Sequence, residues 1–314
     1  MYLKWIKKVG FKAKHNAFVD LCEFNGDFYC CYREAKNHIS GDGKICILRL
    51  DEEGQILATS RIQLNQTDLR DPKLSISVKG HLLLIAYARE NEPNNHTIGR
   101  ENLSWVSKNG RSWSSSKRFG DSGWWLWRLS WYQGQAFGFA YNKTQNAIHL
   151  YSGDPRRSFH QHQPWVLSLS THQKGYPNES DLLFVKNQAF ALVRRDADTF
   201  SAQLGHSKYP FRQWRWTDLG CYIGGPAMVK LNEDFALVAG RIVKNTKLVT
   251  GLLKMNLHTG QLQELMILPS AGDNSYPGLV LKDQQLWISY YSSHEDNKSC
   301  VYLAKVDISS QCKL

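Results

Sequence analysis

The sequence predicts an all-β fold, a six-bladed β-propeller with four-stranded antiparallel blades. Three observations lead to this prediction: paired apolar runs recur along the chain, their spacing is close to 50 residues, and no convincing helical period of 3.6 residues interrupts them. The aromatic share of 12%, with 11 Trp, 14 Tyr and 13 Phe, agrees with this fold class because flat rings pack well on pleated, half-buried surfaces.

Each repeat starts with an apolar run, a short polar turn and a second apolar run, which is the pattern of a β-hairpin. In the first repeat, VDLCEFNGDFYCCYRE, the turn is Asn25-Gly26-Asp27. The six predicted hairpins cover residues 19–34, 71–88, 126–142, 179–195, 225–241 and 276–292. Their regular spacing is the sequence signature of propeller blades.

Every repeat leaves room for two further strands after its hairpin. Apolar runs occupy that place at residues 44–50, 102–108, 147–153, 201–207, 251–257 and 300–306. Six copies of up to four strands each are therefore expected to close into a ring. Because no Pro-, Gly- or Ser-rich linker interrupts the period, residues 1–314 are predicted to form a single domain.

The formal net charge of +11 is compatible with an anionic small substrate and with a basic surface that is simply solvated, and the sequence gives no support for nucleic-acid binding. Lys and Arg residues are scattered among acidic residues, and no basic tract or nucleic-acid fingerprint occurs. A basic surface also attracts small anionic substrates through its long-range field. The expected partner is an anionic glycan or sugar, and the pattern gives no indication of oligomeric state.

Seven cysteines occur, none in a C-x-x-C pair or with the spacing of a zinc site, so neither a metal nor a cofactor is predicted. Those in the first 50 residues alternate with apolar positions, as small buried hydrophobes do. No stretch approaches 18 apolar residues and the amino terminus carries no apolar signal segment. We therefore expect a cytoplasmic protein without a membrane partner.

In a propeller, the starts of the innermost strands and the ends of the second strands gather at one mouth of the central channel. Five arginines among the residues at these positions favour a carboxylate ligand, because the planar guanidinium binds a carboxylate through two hydrogen bonds. A lattice of ion pairs between blades is the alternative. The predicted mouth residues are His15, Asp20, Arg33, Arg70, Asp71, Arg128, Glu179, Arg194, Arg241, Tyr276 and Glu295.

From Glu179 onward these positions resemble the sialidase (neuraminidase) superfamily, whose members have six-bladed propellers. The resemblance implies three arginines that hold the substrate carboxylate, a tyrosine nucleophile paired with a glutamate, and an aspartate as acid/base. Sialidases depart from the two-carboxylate scheme of other glycosidases through this tyrosine. A neutral attacking group avoids repulsion from the carboxylate on the reacting carbon, and a nearby glutamate can take the phenolic proton.

The resemblance assigns roles to single residues. Tyr276, in SYPGLV, matches the nucleophile, and Glu179, in NESDLLF, matches its glutamate partner. Arg194, in LVRRD, and Arg241, in VAGR, match the second and third arginines. Glu295 matches the glutamate that steadies the first arginine.

In the first half of the chain, some positions carry residue types that differ from those of sialidases. Where sialidases carry their first arginine, this chain has His15 and Asn16, so Arg33, Arg70 or Arg128 would supply the charge. Asp71, in DPKLSIS, matches a substrate-contacting aspartate. The acid/base is expected in the loop REAKNHISGDGKI, where Asp42 is the nearest aspartate and His38 and Glu34 are its rivals.

The predicted function is therefore that of an exo-glycosidase of the sialidase type, hydrolysing a terminal sialic acid or related ulosonic acid. Two other enzyme interpretations stay open. A furanosidase would use Asp20, Asp71 and Glu179, although those propellers have five blades. A polysaccharide lyase or rhamnosidase-like enzyme would combine Tyr with histidines, here His15, His38 and His294.

A non-catalytic sugar-binding propeller is the remaining alternative. It would bind sugar faces through aromatic rings and would need no aligned Tyr–Glu pair. The tryptophans available for stacking are Trp124, Trp125, Trp127, Trp214 and Trp216.

Overall fold

A computed structural model of the chain describes residues 1–92, 97–295 and 298–311. Six antiparallel sheets, one for each predicted repeat, form the blades of a six-bladed β-propeller, which confirms the predicted fold class. The described residues contain one short α-helix, α1 (Leu169–His172), and one 3-10 turn, Ser309–Gln311. No helix among them has the length and apolar character needed to cross a membrane.

The strands of the first half, numbered along the chain, are β1 (Tyr2–Gly10), β2 (His15–Phe24), β3 (Asp27–Ala35), β4 (Lys44–Leu50), β5 (Ile56–Ile62), β6 (Thr67–Ile76), β7 (Leu82–Asn91), β8 (Thr97–Ser107), β9 (Lys117–Phe119), β10 (Trp125–Leu126), β11 (Ser130–Tyr132), β12 (Gln135–Asn142), β13 (Ala147–Gly153) and β14 (Phe159–Ser168). Those of the second half are β15 (Pro177–Val185), β16 (Gln188–Arg195), β17 (Gln203–Lys208), β18 (Arg215–Asp218), β19 (Gly224–Lys230), β20 (Phe235–Lys244), β21 (Lys247–Asn256), β22 (Leu262–Leu268), β23 (Asn274–Lys282), β24 (Gln285–Ser292) and β25 (Cys300–Asp307).

The strands of each blade pair in chain order, beginning with the innermost strand. The sixth blade is completed from the other end of the chain: β1 pairs antiparallel with β25 and supplies its fourth strand. This closure joins the two ends of the chain through a β-ladder, so the ring does not depend on the blade interfaces alone.

Blade 3 differs from the predicted pattern because its innermost strand is interrupted. The predicted strand from residue 126 is split into β10 and β11, and both segments pair with β12. Between them the backbone of Arg128 passes close to Gly138, where a Cβ atom would lie 2.5 Å from the Arg128 carbonyl oxygen. Only glycine on the neighbouring strand allows this approach.

The innermost strands of the other five blades share a β-bulge near the mouth. In each, two residues of the inner strand face one residue of the second strand. The first bulge residue has a positive φ in four blades: 60° at Phe18, 47° at Asp71, 54° at Gly225 and 51° at Tyr276. Bulges re-aim side chains, and this set turns them toward the channel mouth.

Apolar side chains fill the spaces between neighbouring blades. The rings of Phe28 and Trp287, for example, join blades 1 and 6 with centroids 4.6 Å apart. Cys30, Cys31 and Cys46 are completely buried in these clusters, as their alternation with apolar residues predicts. The packed blades hold the bulged strand ends in fixed positions around the mouth.

Candidate functional site

Tyr276, Glu179 and Arg194 form a connected group at the channel mouth. The Tyr276 hydroxyl donates to Glu179 Oε1 at 2.6 Å. Arg194 Nη1 donates to Glu179 Oε2 at 2.6 Å and to the Tyr276 hydroxyl oxygen at 2.8 Å. The structure therefore brings together the predicted tyrosine, its glutamate and the second predicted arginine.

The bulges of three adjacent blades hold this group in place. Tyr276 and Glu179 belong to the bulges of blades 6 and 4, and the Gly225 amide in blade 5, between them, donates to Glu179 Oε2 at 2.8 Å. A Cβ atom at Gly225 would lie 2.8 Å from the ring of Tyr276. Glycine is required here both for the positive φ and for the space that the tyrosine ring occupies.

Burial and charge keep the Tyr276 hydroxyl protonated in the free protein. Burial and the Glu179 carboxylate raise the pKa of Tyr276 well above its ordinary value, against the opposing effect of Arg194 and Arg241. The hydroxyl therefore stays a donor to Glu179, which is the ground state expected for a nucleophile that loses its proton only during reaction.

Asp196 orients Arg194 and was missed by the sequence prediction. Arg194 Nε lies 2.9 Å from Asp196 Oδ1, and Nη2 lies 2.8 Å from Oδ2, a two-point contact with one carboxylate. Asn178 Nδ2 also donates to Asp196 Oδ2 at 2.8 Å. The only sequence signal was the aspartate that follows the arginine pair in LVRRD.

Arg241, the third predicted arginine, is held from blade 6. Its Nε and Nη2 donate to the Asn274 carbonyl at 2.9 and 2.6 Å. Nη2 also lies 3.1 Å from Asp273 Oδ1 and 3.2 Å from the Tyr291 hydroxyl. The guanidinium carbon is 5.3 Å from the ring centre of Tyr276, so Arg241 belongs to the same group of side chains.

Asp273 joins two histidines to the arginine side of the mouth and is a second residue that sequence reasoning missed. Its Oδ2 lies 3.1 Å from His15 Nε2 and 2.8 Å from His38 Nδ1, while the Tyr291 hydroxyl donates to Oδ1 at 2.7 Å. Although burial alone would raise the pKa of Asp273, these hydrogen bonds outweigh it and hold the pKa far below its ordinary value. Asp273 is therefore a permanent anion.

Three donor atoms of this cluster could hold a metal ion. His15, His38 and Asp273 each offer one atom, and the three atoms lie within 4.8 Å of one another. Each already has a hydrogen-bonding partner within the cluster, and Arg241 stands on the other side of the carboxylate. Asp273 is thus already shared among these partners, while His15 Nδ1 is buried without a hydrogen-bond partner among the described residues. Burial lowers the pKa of His15, which favours its neutral form.

Phe18 contributes a buried ring to the mouth, in contact with the rings of Tyr276, His38 and Tyr291. It is the bulge residue of blade 1, the position that Tyr276 holds in blade 6. Its ring centroid lies 5.4 Å from that of Tyr276, 5.1 Å from that of His38 and 5.7 Å from that of Tyr291. Blade 1 therefore contributes an apolar ring and His15 at the place where the resemblance predicts an arginine.

Two of the predicted mouth arginines, Arg33 and Arg70, come from blades 1 and 2. Of these two, Arg70 reaches the mouth and Arg33 does not. The guanidinium of Arg70 lies 5.2 Å from the ring centre of Phe18 and donates to the His38 carbonyl at 3.1 Å. Arg33 is completely buried, and its Nε donates to Asp68 at 2.7 Å. The prediction that Arg33 contacts substrate is wrong, because its remaining donors bind loop carbonyls at Asn37 and Ser40.

Asp20 and Arg128 are also removed from the ligand contacts. Arg128 Nη1 donates to Asp20 Oδ1 at 2.7 Å, and Asp20 Oδ2 accepts the Leu74 amide at 2.8 Å. Arg128 Nη2 donates to the carbonyl of Pro277, which the bulge of blade 6 leaves free. This pair satisfies backbone groups and ties blades together, so the alternative of ion pairs between blades is correct for these two residues.

Asp71 is a buried carboxyl group at the mouth, and its Oδ1 atom is left without a hydrogen-bond partner among the described residues. Burial, with the Glu179 charge adding to it, raises the pKa of Asp71 to about 6, against the effect of Arg70 and Lys73. Asp71 is thus a carboxyl group that can change its protonation state near neutral pH.

Asp42, the predicted acid/base, does not have the environment of a proton donor. It is exposed on the blade-1 loop, and the Lys36 amide donates to its Oδ1 at 3.3 Å. Burial alone would raise the pKa of Asp42, but hydrogen bonds with Ser40 and with the Lys36 amide outweigh it and lower the pKa. Glu34 is likewise held as an anion by the guanidinium of Arg61, at 2.7 and 3.0 Å. His38 is the member of this loop that faces the cluster.

Glu295 and His294 lie away from the arginines. Glu295 pairs with Lys8 of the outer strand β1 at 2.5 Å and accepts from Tyr302 at 3.1 Å. The prediction that it steadies an arginine is therefore wrong, and Asp273 stands beside Arg241 instead. His294 hydrogen bonds to Ser292 at 2.9 Å and takes no part in the cluster.

Most of the tryptophans that could bind a sugar are packed inside the fold. Trp127 is buried, with the Lys73 amino group 4.8 Å from its ring centre. Trp214 and Trp216 stack on each other and donate to carbonyls of Phe211 and Val166. Trp127 and Trp125 both lie beside the mouth: the Trp127 ring centroid is 5.7 Å from that of Tyr276, and the half-exposed Trp125 is 5.9 Å from the Arg70 guanidinium.

Comparison with solved structures finds the same fold in proteins of very different sequence. A protein of unknown function from Dyadobacter fermentans DSM 18053 superposes with a TM-score of 0.81 at 14% identity, over 96% of this chain and 99% of that chain. The K499G mutant of NanB sialidase from Streptococcus pneumoniae gives 0.75 at 10% identity, over 99% of this chain and 71% of that chain.

An α-L-arabinanase from Penicillium chrysogenum, solved with arabinobiose, gives a TM-score of 0.74 at 12% identity, over 96% of this chain and 98% of that chain. No family model and no curated protein matches this chain. The likeness shows a divergent sialidase-like propeller, a fold also used by an arabinanase, and leaves the chemistry to be argued from the site.

Proposed function

We propose that the protein is a glycoside hydrolase of the sialidase type that removes a terminal sugar bearing a carboxylate. The observation that carries this proposal is the 2.6 Å hydrogen bond between Tyr276 and Glu179, with Arg194 bound to both. A buried tyrosine linked to a carboxylate and an arginine is suited to nucleophilic attack.

The reaction would proceed in two balanced steps. As the Tyr276 oxygen bonds to the anomeric carbon, its proton passes to Glu179, the glycosidic bond breaks, and an acid protonates the leaving oxygen. Water then attacks the same carbon, the tyrosine leaves and regains its proton from Glu179, and the acid, now a base, takes the proton of the water.

His38 is the group best suited to act as that acid and base. Its Nδ1 contacts the permanent anion Asp273, which fixes the ring orientation as a carboxylate does in a catalytic triad. About half of the side chain is exposed, so water and a leaving group can reach it. Asp42 lacks both features, because its own contacts hold it in the loop.

Arg241 and Arg70 are the proposed carboxylate contacts, with Arg194 beside them. Among the described residues, Arg241 Nη1 has no hydrogen-bond partner and remains free to donate to a ligand. Arg194 is largely occupied by Glu179 and Asp196, which assigns it mainly to positioning the Tyr276–Glu179 pair. This distribution departs from a clamp of three equivalent arginines.

A panel of aryl ketosides of sialic acid and related ulosonic acids tests the proposal. We expect the wild-type protein to release the aryl group from at least one of them. Tyr276→Phe should abolish release while ligand binding, measured by calorimetry, is retained. Absence of release from every member of the panel would overturn the sialidase assignment.

The His15–Asp273–His38 cluster favours one second candidate, a lyase acting on an anionic polysaccharide. In that reaction a base removes the proton next to the sugar carboxylate, the leaving oxygen is protonated, and a C=C bond forms without consumption of water. Product absorbance in the ultraviolet, with no oxygen incorporated from isotopically labelled water, would identify the lyase. The furanosidase alternative loses Asp20, which is engaged by Arg128.

A further inference from the structure

A cavity of about 370 Å³ lies between blades 2 and 3, beside the Tyr276 group. We call it the basic groove, defined by the lining residues Tyr87, Arg89, Arg100, Trp125, Tyr141 and Lys143. The groove is formed by the ends of β7 and β12 and by the start of β8. Its volume is in the range of small-molecule binding sites.

Stacked aromatic rings form one wall of the basic groove. Trp125 lies nearly parallel to Tyr87, with centroids 4.1 Å apart and an interplanar angle of 6°. Tyr141 is also nearly parallel to Trp125, with centroids 5.6 Å apart and an interplanar angle of 14°. Trp125 is held in register opposite Tyr141 by the β10–β12 pairing and remains half-exposed. A rigid, partly exposed ring stack of this kind offers a flat face to a sugar ring.

Positive charge is concentrated in the same groove. Arg89 and Arg100 stand directly opposite each other on β7 and β8, and Lys143 adds a third cation. Like charges in directly opposed positions destabilise a sheet. Burial, together with the charges of Arg70 and Arg100, lowers the pKa of Arg89. None of the described residues that line the groove is acidic. Asp68, which pairs with Arg89 in the β6–β7 ladder and partly offsets the lowering of its pKa, is already bound by Arg33 and Arg70.

The basic groove lies close to the candidate catalytic mouth. Trp125 lies 5.9 Å from the guanidinium of Arg70, and Arg70 lies against Phe18, which contacts Tyr276. Tyr141 is near enough to Glu179 that, after burial, this carboxylate contributes to raising the pKa of Tyr141. These contacts place the groove one layer of side chains from Tyr276, near enough for us to consider it as the site of the sugar unit next to the terminal one.

We propose that the basic groove binds the second sugar unit of the substrate and that this unit carries an anionic group, sulfate or carboxylate. The sugar ring packs against the exposed part of the aromatic wall formed by Tyr87, Trp125 and Tyr141, and Arg89, Arg100 and Lys143 bind the anion. This inference rests on the proposed function for the position of the terminal sugar. It specifies the substrate class as a glycan with negative charge on two successive units.

Calorimetry with matched disaccharides tests this proposal without requiring turnover. The protein carries Tyr276→Phe, and the probes share a terminal ulosonic acid linked to a galactose that is unmodified, sulfated or oxidised to a uronate. We expect one of the two doubly anionic probes to bind at least about tenfold more tightly than the neutral-galactose probe. Comparison of the sulfated and the uronate probes identifies which anion is used.

Variants then locate the effect. Arg100→Ala should remove most of the preference for the doubly anionic probe and leave affinity for the neutral-galactose probe unchanged, whereas Arg100→Lys should retain part of it. Lys247→Ala, which removes one exposed cation from blade 5, is the matched control and should change neither affinity. Thermal melts verify that each variant is folded.

Equal affinity for all three probes would overturn the inference. An equal loss of the preference for the doubly anionic probe in Arg100→Ala and in Lys247→Ala would also overturn it. The latter result would assign the preference to the long-range field of the protein. Failure of the proposed hydrolysis would be seen separately, as absence of aryl release by the wild-type protein while the preference of the groove persists.

Discussion

Tyr276 and Glu179 are 97 residues apart in the chain, and the Tyr276 hydroxyl donates to Glu179 Oε1 at 2.6 Å. The contact spans blade 5, whose Gly225 amide binds the other oxygen of the same carboxylate. Both carboxylate oxygens are therefore occupied in a fixed geometry, and a base held within hydrogen-bonding reach of a nucleophile is the arrangement that general-base catalysis requires.

The hydroxyl of Tyr276 is the atom on which catalysis is expected to depend. Tyr276→Phe should lower kcat by at least about 10³-fold with little change in ligand affinity, because the nucleophile is lost and the ring is kept. Tyr290→Phe is a matched control: Tyr290 is buried on the other face of the same blade, and its hydroxyl binds only the Pro269 carbonyl. It should cost about 1 kcal/mol of stability and leave kcat intact.

Gly225 is predicted to be irreplaceable because of the Tyr276 ring. Gly225→Ala combines a positive φ of 54° with a Cβ placed 2.8 Å from that ring. Gly220→Ala is the control, since its φ of 65° is similar and nothing lies within 4 Å of the new Cβ. Gly220→Ala should lose about 1 kcal/mol of unfolding free energy in urea titrations. Gly225→Ala should lose clearly more and should also lose activity; equal losses would contradict the steric role.

Asp71 should make stability depend on pH in a defined window. Because its pKa in the folded protein is raised to about 6, the folded state holds this proton more tightly than the unfolded chain does. The contribution of Asp71 to the free energy of unfolding should therefore fall as pH rises from about 4 to about 6. Asp71→Asn removes this loss and should exceed wild type by about 2 kcal/mol near neutral pH, with no advantage below about pH 4. A constant difference between the two proteins across this range would contradict the raised pKa.

His38 and Asp42 can be distinguished by the leaving group. Without its acid, an enzyme loses most activity on substrates whose leaving oxygen needs protonation and little on aryl groups that leave as anions. His38→Ala should therefore lose about 10²-fold or more in kcat/KM on alkyl glycosides and much less on nitrophenyl glycosides. Asp42→Asn should leave both rates near wild type. The reverse pattern in the two variants would restore Asp42 as the acid.

Asp273 is expected to position His38. Asp273→Asn removes the anion that contacts His15, His38 and Arg241, so the pH–rate profile should change together with kcat. A variant with lower stability but an unchanged pH profile would indicate a purely structural role. A double variant with His38→Ala tests whether Asp273 acts through His38. If it does, the loss of kcat in the double variant should be smaller than the sum of the two single losses, expressed as free energies.

The propeller fold, and several of the residues that line its channel mouth, could be predicted from the sequence alone. Hairpin periodicity is local, since it depends on alternation within each strand and on turn residues between strands. It correctly located every blade, and hence the strand ends where Tyr276, Glu179, Arg194 and Arg241 meet. Counting blades also opposed the five-bladed furanosidase interpretation.

The pairing of acidic with basic side chains, in contrast, could be read only from the folded structure. Asp196 and Asp273 bind the arginines, whereas Asp20 binds Arg128 within the channel, and Glu295 binds Lys8 at the outer edge. The local sequence pattern cannot assign these ion pairs, because an arginine side chain is long enough to reach carboxylates at several different strand ends. The bulges that turn Tyr276 into the mouth depend on contacts between blades, and these exist only once the ring has closed.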